Sequence, residues 1–298
     1  MENLDRFELA GGSVIGTRHT KIGRNNQDHF LWLRERQYII AIVSDGCSGG
    51  QYSEVGSKLL SSIFANTLAR YLNKHHSILS DENFFQHDWL WHNVRQDVLA
   101  RIRIIAQDMD ENLIDTICKY FLATIVGVVI TPNVTCVFSC GDGIYFINGE
   151  KHVIGPFAGN KPPYLCYGIT GSEITRNDPS LLGIQRHGIW PTDSIQNLLI
   201  GTDGVVDLME LSEKKFPGQD KLIGQINQFW TDDIYFRNPE WIRNVLTMVN
   251  TEKRKPVWEE KNIVKCPGLL SDDTTLISLR KSEEILGKQF ICMVNQYD

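Results

Sequence analysis

Two spacings of apolar residues alternate along the chain, and each predicts a different kind of element. Short runs of aliphatic and aromatic residues predict strands near 12–18, 28–34 and 37–45, followed by a group of strands between 121 and 154. The pair Asn148-Gly149 within this group is a strong hairpin signal. Neighbouring strands are therefore expected to be joined as antiparallel pairs.

Longer segments with apolar residues every three or four positions predict helices. We expect the first two from Tyr52 to Tyr71 and from Trp89 to Met109, and shorter ones near Lys221 to Trp230 and Pro239 to Val249. The many Gly, Pro, Thr and Asn residues between 155 and 191 indicate irregular loops. Antiparallel sets of strands with paired helices between them favour an α+β fold, a β-sandwich of two antiparallel sheets flanked by pairs of helices, over a doubly wound sheet.

Four aspartates stand where apolar runs end or beside a glycine: Asp45, Asp142, Asp203 and Asp272, in the strings IIAIVSDG, CVFSCGDG, NLLIGTDG and GLLSDDTTLISL. One Asp-Gly pair after a strand is usually only a turn. Its repetition, together with Asp28 after GRNNQ, suggests one acidic pocket assembled by the fold. Carboxylates held close together raise one another's pKa, so an all-aspartate cluster indicates bound cations. Oxygen ligands favour magnesium, manganese or calcium over zinc.

The order of these motifs resembles the metal-dependent protein phosphatases of type 2C, the PPM family. The resemblance spans nearly the whole chain and rests on six strings: NNQDHF, VSDGCSGGQYSEVGSKLL, FLATIVGVVI, SCGDGIYFINGE, LIGTDGVVDLM and SDDTTLISL. No single string is diagnostic, but their shared order makes the resemblance specific. It implies the two-sheet, helix-flanked fold already favoured by the apolar pattern.

The resemblance also implies a set of metal ligands. Asp45 is expected to bridge two Mg²⁺ or Mn²⁺ ions, with the carbonyl of Gly46 as a ligand of one of them. Asp203 and Asp272 complete the coordination of the first ion. Asp142 corresponds to a residue associated with a third, weaker metal site.

Two positions of the acidic motif near residue 28 need separate treatment. Asp28 aligns with the aspartate of the family's Glu-Asp pair, whereas the glutamate is replaced by Gln27. An amide at that position is able to hold a metal-bound water in place of direct ligation.

Other departures concern phosphate binding and protonation of the leaving group. The family's phosphate-binding arginine is replaced by Gly23, and a histidine found after the bridging Asp-Gly of eukaryotic members is replaced by Cys47. Cysteine is not a good general acid at neutral pH. We therefore take His19 and Arg24 as candidates for binding phosphate, with His19 also a candidate proton donor. The arrangement around His19 resembles a bacterial branch of the family.

These features predict a phosphoprotein phosphatase that hydrolyses phosphoserine and phosphothreonine through a metal-activated water. Two alternatives stay open: a noncatalytic module that binds or regulates, and a metal-dependent phosphatase of small metabolites. The expected partners are a phosphorylated protein substrate and a cognate serine/threonine kinase.

Composition narrows the class of protein further. A net charge of −6 and a pI near 5.8 argue against nonspecific nucleic-acid binding. No apolar stretch is long enough to span a bilayer and no signal peptide is evident, so we expect no membrane partner and a cytoplasmic location. Seven cysteines without metal-binding spacing are typical of reduced core residues.

Ligand motifs at both ends of the chain favour a single domain over residues 1–298. Within it, residues 210–268 are expected to form a helical insert or flap, and residues 282–298 a C-terminal extension.

Overall fold

The computed structural model describes residues 4–282 except 77, 78, 80, 82 and 260. The strands are β1 (Phe7–Val14), β2 (His29–Arg34), β3 (Ile39–Ser44), β4 (Ile125–Ile130), β5 (Val134–Cys140), β6 (Gly143–Ile147), β7 (Glu150–Ile154), β8 (Gln185–Pro191), β9 (Asn197–Gly201), β10 (Lys253–Val257), β11 (Asn262–Cys266) and β12 (Thr274–Lys281). The helices are α1 (Thr17–Lys21), α2 (Ser53–Lys74), α3 (Asp88–Met109), α4 (Leu113–Thr116), α5 (Tyr167–Thr170), α6 (Glu173–Asn177), α7 (Gly204–Glu210), α8 (Gln228–Thr231), α9 (Ile234–Arg237) and α10 (Trp241–Asn250).

The strands form two sheets and a separate hairpin. One sheet has the order β1-β12-β9-β6-β7 and the other the order β2-β3-β4-β5-β8, while β10 pairs with β11. Neighbouring strands within both sheets are antiparallel. The predicted α+β fold, a sandwich of two antiparallel sheets flanked by helices, is confirmed.

The central strand β3 shows why the apolar runs are continuous. Ile39, Ala41 and Val43 lie in the core between the two sheets, and Ile40 and Ile42 lie in the core under the helices. Both faces of the strand are therefore buried, and its sequence does not alternate between apolar and polar residues.

Helices cover the outer faces of the sandwich. Apolar residues of α2 and α3, such as Leu60, Phe64 and Val98, share a core with the β2–β8 sheet. Apolar residues of α7 to α10, such as Leu246, share a core with the other sheet. Among the described residues, no helix combines the length and apolar character that a bilayer crossing requires.

The structure corrects several boundaries. The first strand ends at Val14, and the second half of the range predicted for it holds helix α1. The region before Pro191 that was predicted to be irregular ends in strand β8. This edge strand is only partly buried, so its residues do not show the apolar pattern of a core strand. Only Gln228–Thr231 of the helix predicted from Lys221 is helical, and the charged segment after Asn250 forms β10.

Two further segments were expected on the C-terminal side: a helical insert or flap over residues 210–268 and an extension over residues 282–298. Residues 210–268 contain α8 to α10 and also the β10–β11 hairpin, and α10 belongs to the helical layer under β1. Of the extension predicted over residues 282–298, all but Ser282 lies outside the described residues.

The sandwich brings together strand ends that are far apart in the sequence. Ser44 at the end of β3 faces His29 at the start of β2, and Ile125 at the start of β4 faces Cys140 at the end of β5. In the other sheet Gly201 at the end of β9 lies between Ile144 and Leu276. The residues that follow or precede these ends share one edge of the molecule.

Phe138 tests the packing of the β2–β8 sheet against its helices. Its buried ring lies 5.3 Å from the ring of Phe64 on α2 and 5.0 Å from that of Trp91 on α3. We expect Phe138→Ala to lower the free energy of unfolding by about 3–5 kcal/mol, measured by urea denaturation, because it leaves a cavity. The control Ile104→Ala, at an exposed position, should change it by less than about 0.5 kcal/mol. Similar losses in both variants would contradict this packing.

Candidate functional site

The turn after β3 is held on both sides by backbone bonds. The Asp45 N–H donates to Thr124 Oγ1 (3.1 Å) and its carbonyl accepts from the Thr124 N–H (2.8 Å). The Gly46 N–H donates to the Gln27 carbonyl (3.1 Å). A Cβ at Gly46 would lie 2.7 Å from the Ser53 carbonyl oxygen, so only glycine fits where this turn meets α2. Asp45 is thus presented at a fixed position.

Asp28 lies directly before β2 and is almost completely buried. The Thr202 hydroxyl donates to its Oδ2 (2.8 Å), whereas its Oδ1 has no hydrogen-bond partner among the described residues. Burial, followed by the charge of Asp273, raises the pKa of Asp28 to about 8. A carboxylate with one buried oxygen that lacks a hydrogen-bond partner is suited to bind a cation.

The neighbouring carboxylates act on one another. Burial and the charges of Asp28 and Asp203 raise the pKa of Asp45 well above its usual range. Burial and the charges of Asp142 and Asp272 raise the pKa of Asp203 to about 6. The electrostatic coupling among these carboxylates, together with the strand ends that carry them, places the five predicted aspartates in one neighbourhood.

Asp142 and Asp203 lie beside the facing ends of the neighbouring strands β6 and β9. Asp142 lies in the turn between β5 and β6, flanked by Gly141 and Gly143 with positive φ angles of 97° and 147°. Burial raises its pKa. Asp203 precedes α7, and its carbonyl accepts a hydrogen bond from the Val206 N–H (2.8 Å).

Asp273 is a central residue of the site that the sequence analysis did not select. Its buried carboxylate accepts hydrogen bonds from the N–H groups of Gly16 and Gln27, both at 2.6 Å, and lies 2.9 Å from His19 Nδ1. These contacts tie the loop of Asp272 to the chain segment that carries Asp28. The only sequence signal was its position as the second member of an Asp-Asp pair.

His19 faces Asp273 from α1 and is 7% exposed. Ligand atoms of His19, Asp272 and Asp273 lie within 4.8 Å of one another, a spacing that suits a metal ion. The imidazole Nδ1 is within hydrogen-bonding distance of Asp273, at 2.9 Å, so His19 borders the carboxylate cluster. Its expected roles in binding phosphate and donating a proton stay predictions.

Gln27 and Arg24 extend the site in different directions. The side-chain amide of Gln27 is buried, and neither its oxygen nor its nitrogen has a partner among the described residues. Arg24 donates from Nη1 to the Ser48 carbonyl (2.6 Å), so its guanidinium lies at the loop that follows Asp45. Gly23, at the position of the family's arginine, is exposed with a φ of 69°.

Tyr164 is a second residue of the site that the sequence analysis missed. The residue is 8% exposed, and its hydroxyl lies near Cys47 and within the electrostatic influence of Asp45 and Asp142. Burial raises its pKa, which keeps the phenol protonated. It lies in the irregular region before β8, where no periodicity distinguished it.

The chain matches one protein family and resembles several solved structures. A family model described as protein phosphatase 2C matches residues 15–236. A variant of a bacterial serine phosphatase is 14% identical, with 93% of this chain and 99% of that chain covered and a TM-score of 0.52. The serine/threonine phosphatase Stp1 from Staphylococcus aureus is 14% identical, with 92% and 94% covered and a TM-score of 0.51.

A eukaryotic protein also has a similar structure. A C. elegans sex determining protein is 12% identical, with 92% of this chain and 64% of that chain covered and a TM-score of 0.50. At these identities the structural likenesses establish the fold alone. A search of curated protein sequences finds no match.

The raised pKa values predict an unusual pH dependence for the metal-free protein. In the unfolded chain Asp28 ionises near its usual pKa of 3.8, whereas in the folded protein it keeps its proton until the pH approaches about 8. The folded state therefore binds more protons across this window, and stability should fall as the pH rises from about 4 to 8. Asp203 adds to the fall up to a pH of about 6.

Urea denaturation in EDTA at pH 5 and pH 8 would measure this fall. Asp28→Asn should flatten the dependence, and the exposed control Asp108→Asn should keep the slope of the wild type. A metal-free protein that gains stability between these two pH values would contradict the proposed electrostatics.

Proposed function

Because the chain belongs to the protein phosphatase 2C family, we propose that its aspartate cluster holds two Mg²⁺ or Mn²⁺ ions for hydrolysis of phosphoserine and phosphothreonine in proteins. Metal-dependent dephosphorylation of protein serine and threonine is the activity of this family. The observation that supports the ligand assignment best is the buried, unpartnered oxygen of Asp28 within a cluster of mutually repelling carboxylates.

The proposed ligands follow the order of the motifs. Asp45 would bridge the two ions, the Gly46 carbonyl would bind one of them, and Asp203 and Asp272 would complete the first site. Asp28 would serve the second. Asp142, at the outer side of the cluster, would hold a third and weaker ion.

The chemistry of the donors fits this role. Carboxylate and carbonyl oxygens suit Mg²⁺ and Mn²⁺, and a divalent charge would offset both the burial and the repulsion that raise the pKa values of Asp28, Asp45 and Asp203. The buried amide of Gln27, which has no partner among the described residues, would orient a water beside these carboxylates. When bound, the ions would neutralise phosphoryl charge and acidify a water.

The protein's own groups would orient these partners. Thr202 fixes Asp28 through its hydroxyl, and Asp273 fixes the loop of Asp272 through backbone N–H groups. Arg24, at the rim, would bind the phosphoryl oxygens. Through its contact with Asp273, His19 would support the cluster, and a direct contact with phosphate would require this contact to open.

The remaining expectations about partners and organisation are part of the same proposal. The substrate would be a phosphoprotein produced by a cytoplasmic serine/threonine kinase, with no role for nucleic acid or a membrane. The described residues would belong to one domain, in which the hairpin and helices between 210 and 268 form a border of the site. Neither a noncatalytic module nor a metabolite phosphatase is favoured by the family assignment.

The central test is manganese-dependent release of phosphate from a phosphoserine peptide. Wild-type protein should be active with Mn²⁺ and inactive in EDTA, and Asp45→Asn should lower kcat by at least about a hundredfold because the bridging carboxylate is lost. The exposed control Asp108→Asn should retain wild-type kinetics. Binding of Mn²⁺, measured by calorimetry, should weaken in Asp45→Asn alone. An active, metal-binding Asp45→Asn protein would refute the ligand assignment.

A second test concerns Arg24. If its guanidinium binds the phosphoryl group, Arg24→Ala should raise KM for p-nitrophenyl phosphate and for the phosphoserine peptide by a similar factor, about tenfold. Arg103→Ala, an exposed arginine on α3, is the matched control. Unchanged KM values for both substrates would leave Arg24 with only its structural bond to Ser48.

A further inference from the structure

Arg95, on α3, is a half-buried cation without a partner. No ion pair or hydrogen bond joins its guanidinium to any of the described residues, and its Nε is fully buried without an acceptor. The two terminal nitrogens are not among the fully buried atoms without a partner, so the guanidinium lies partly in solvent. Its donors are therefore available to a ligand or to a compensating acidic group.

The surroundings of Arg95 supply no such group. Burial lowers its pKa, and the neighbours whose charge would oppose this are the thiols of Cys140 and Cys166. Burial raises the pKa of each of these thiols to about 12, so both are neutral at physiological pH. Asp88, the carboxylate nearest in the same cavity wall, is bonded to Arg186 at 2.7 Å.

Arg95 faces a cavity of about 320 Å³ between α3 and the 3₁₀ turn Pro179–Leu182. Its wall combines polar groups, the guanidinium of Arg95, the imidazole of His92 and the carboxylate of Asp88, with the apolar side chains of Trp91, Leu182 and Ile184. Trp91 is held rigidly because its indole N–H donates to the Phe85 carbonyl (2.8 Å). The volume matches that of small-molecule sites, so the cavity admits a compact ligand.

We propose that this cavity binds a small oxyanion, a phosphate or a carboxylate, through the guanidinium of Arg95. The planar fork of N–H donors matches both kinds of oxyanion in a bidentate manner. The apolar wall would accept a short hydrocarbon part of the ligand. This site is separate from the aspartate cluster, and its existence does not depend on the phosphatase activity.

The position of Arg95 connects the cavity to the segment before β8. Its guanidinium lies against Gly168 of α5 and leaves no space for a side chain there. The same short helix begins at Tyr167, whose ring lies 5.4 Å from that of Tyr164 at the aspartate cluster. An anion bound to Arg95 would therefore contact the scaffold that carries Tyr164.

The experiment compares wild-type protein with Arg95→Met in EDTA, so that metal-dependent phosphate binding does not contribute. Arg24→Ala is included in both backgrounds to remove the cation at the rim of the cluster. Inorganic phosphate and benzoate are titrated separately by calorimetry at constant ionic strength, and melting temperatures are recorded with and without each anion. Arg103→Met, an exposed position on the same helix, is the matched control.

We expect at least one anion to bind and to raise the melting temperature of the wild type by mass action. Arg95→Met should weaken that binding about tenfold or more, and Arg103→Met should not. Binding of phosphate alone or benzoate alone would identify the preferred class. Without an anion, Arg95→Met should melt at or above the wild-type temperature, because it removes an unpaired charge.

Three results would overturn the proposal. The first is failure of both anions to bind the wild type at millimolar concentrations, and the second is equal binding by wild type and Arg95→Met. The third is a loss of stability in Arg95→Met without any anion, since it would show that the guanidinium supports the fold itself.

Discussion

Mutual repulsion among buried carboxylates is the constraint on which the site depends. Asp28, Asp45 and Asp203 stand at the ends of strands in a region from which water is largely excluded. Burial raises the pKa of all three, and the charges of Asp28 and Asp203 add to the rise at Asp45. Flexible segments would relieve such repulsion by moving apart. The sandwich prevents this, because the strands before and after these residues are fixed by their ladders and by cores on both faces.

Residues outside the proposed ligand set hold the segments that carry the carboxylates in place. Asp273 accepts two backbone N–H groups and pairs with His19, so the segments at both ends of the chain are joined at one point. Gln27 continues this connection, since its carbonyl accepts the Gly46 N–H. A disturbance at Asp273 would thus reach both the Asp28 and Asp45 sides of the cluster.

Two departures from the family pattern lie close to the loop after Asp45. Cys47, in place of a histidine, lies near a buried tyrosine, Tyr164. Arg24, one residue after the usual arginine position, is held by the Ser48 carbonyl at the edge of the same loop. These contacts give the loop after Asp45 a fixed shape through side chains that are specific to this chain.

The sandwich was predictable from the sequence, because β3 and its neighbours are apolar on both faces and α2 and α3 carry long amphipathic patterns. The five aspartates were recognisable as candidates, since each stands at a strand end or turn. Edge strand β8 and the β10–β11 hairpin escaped prediction, because exposed strands bury too little surface to impose a pattern.

The other polar residues of the site could be identified only from the tertiary structure, because their contacts join distant parts of the chain. Asp273 meets Gly16 across 257 positions and Gln27 across 246, and Tyr164 reaches Cys47 from a loop without periodicity. The same holds for the unpaired guanidinium of Arg95, which local sequence places on an ordinary helix. Whether a buried polar group is paired depends on contacts between residues that are distant in the sequence, so the local spacing of residue types does not predict it.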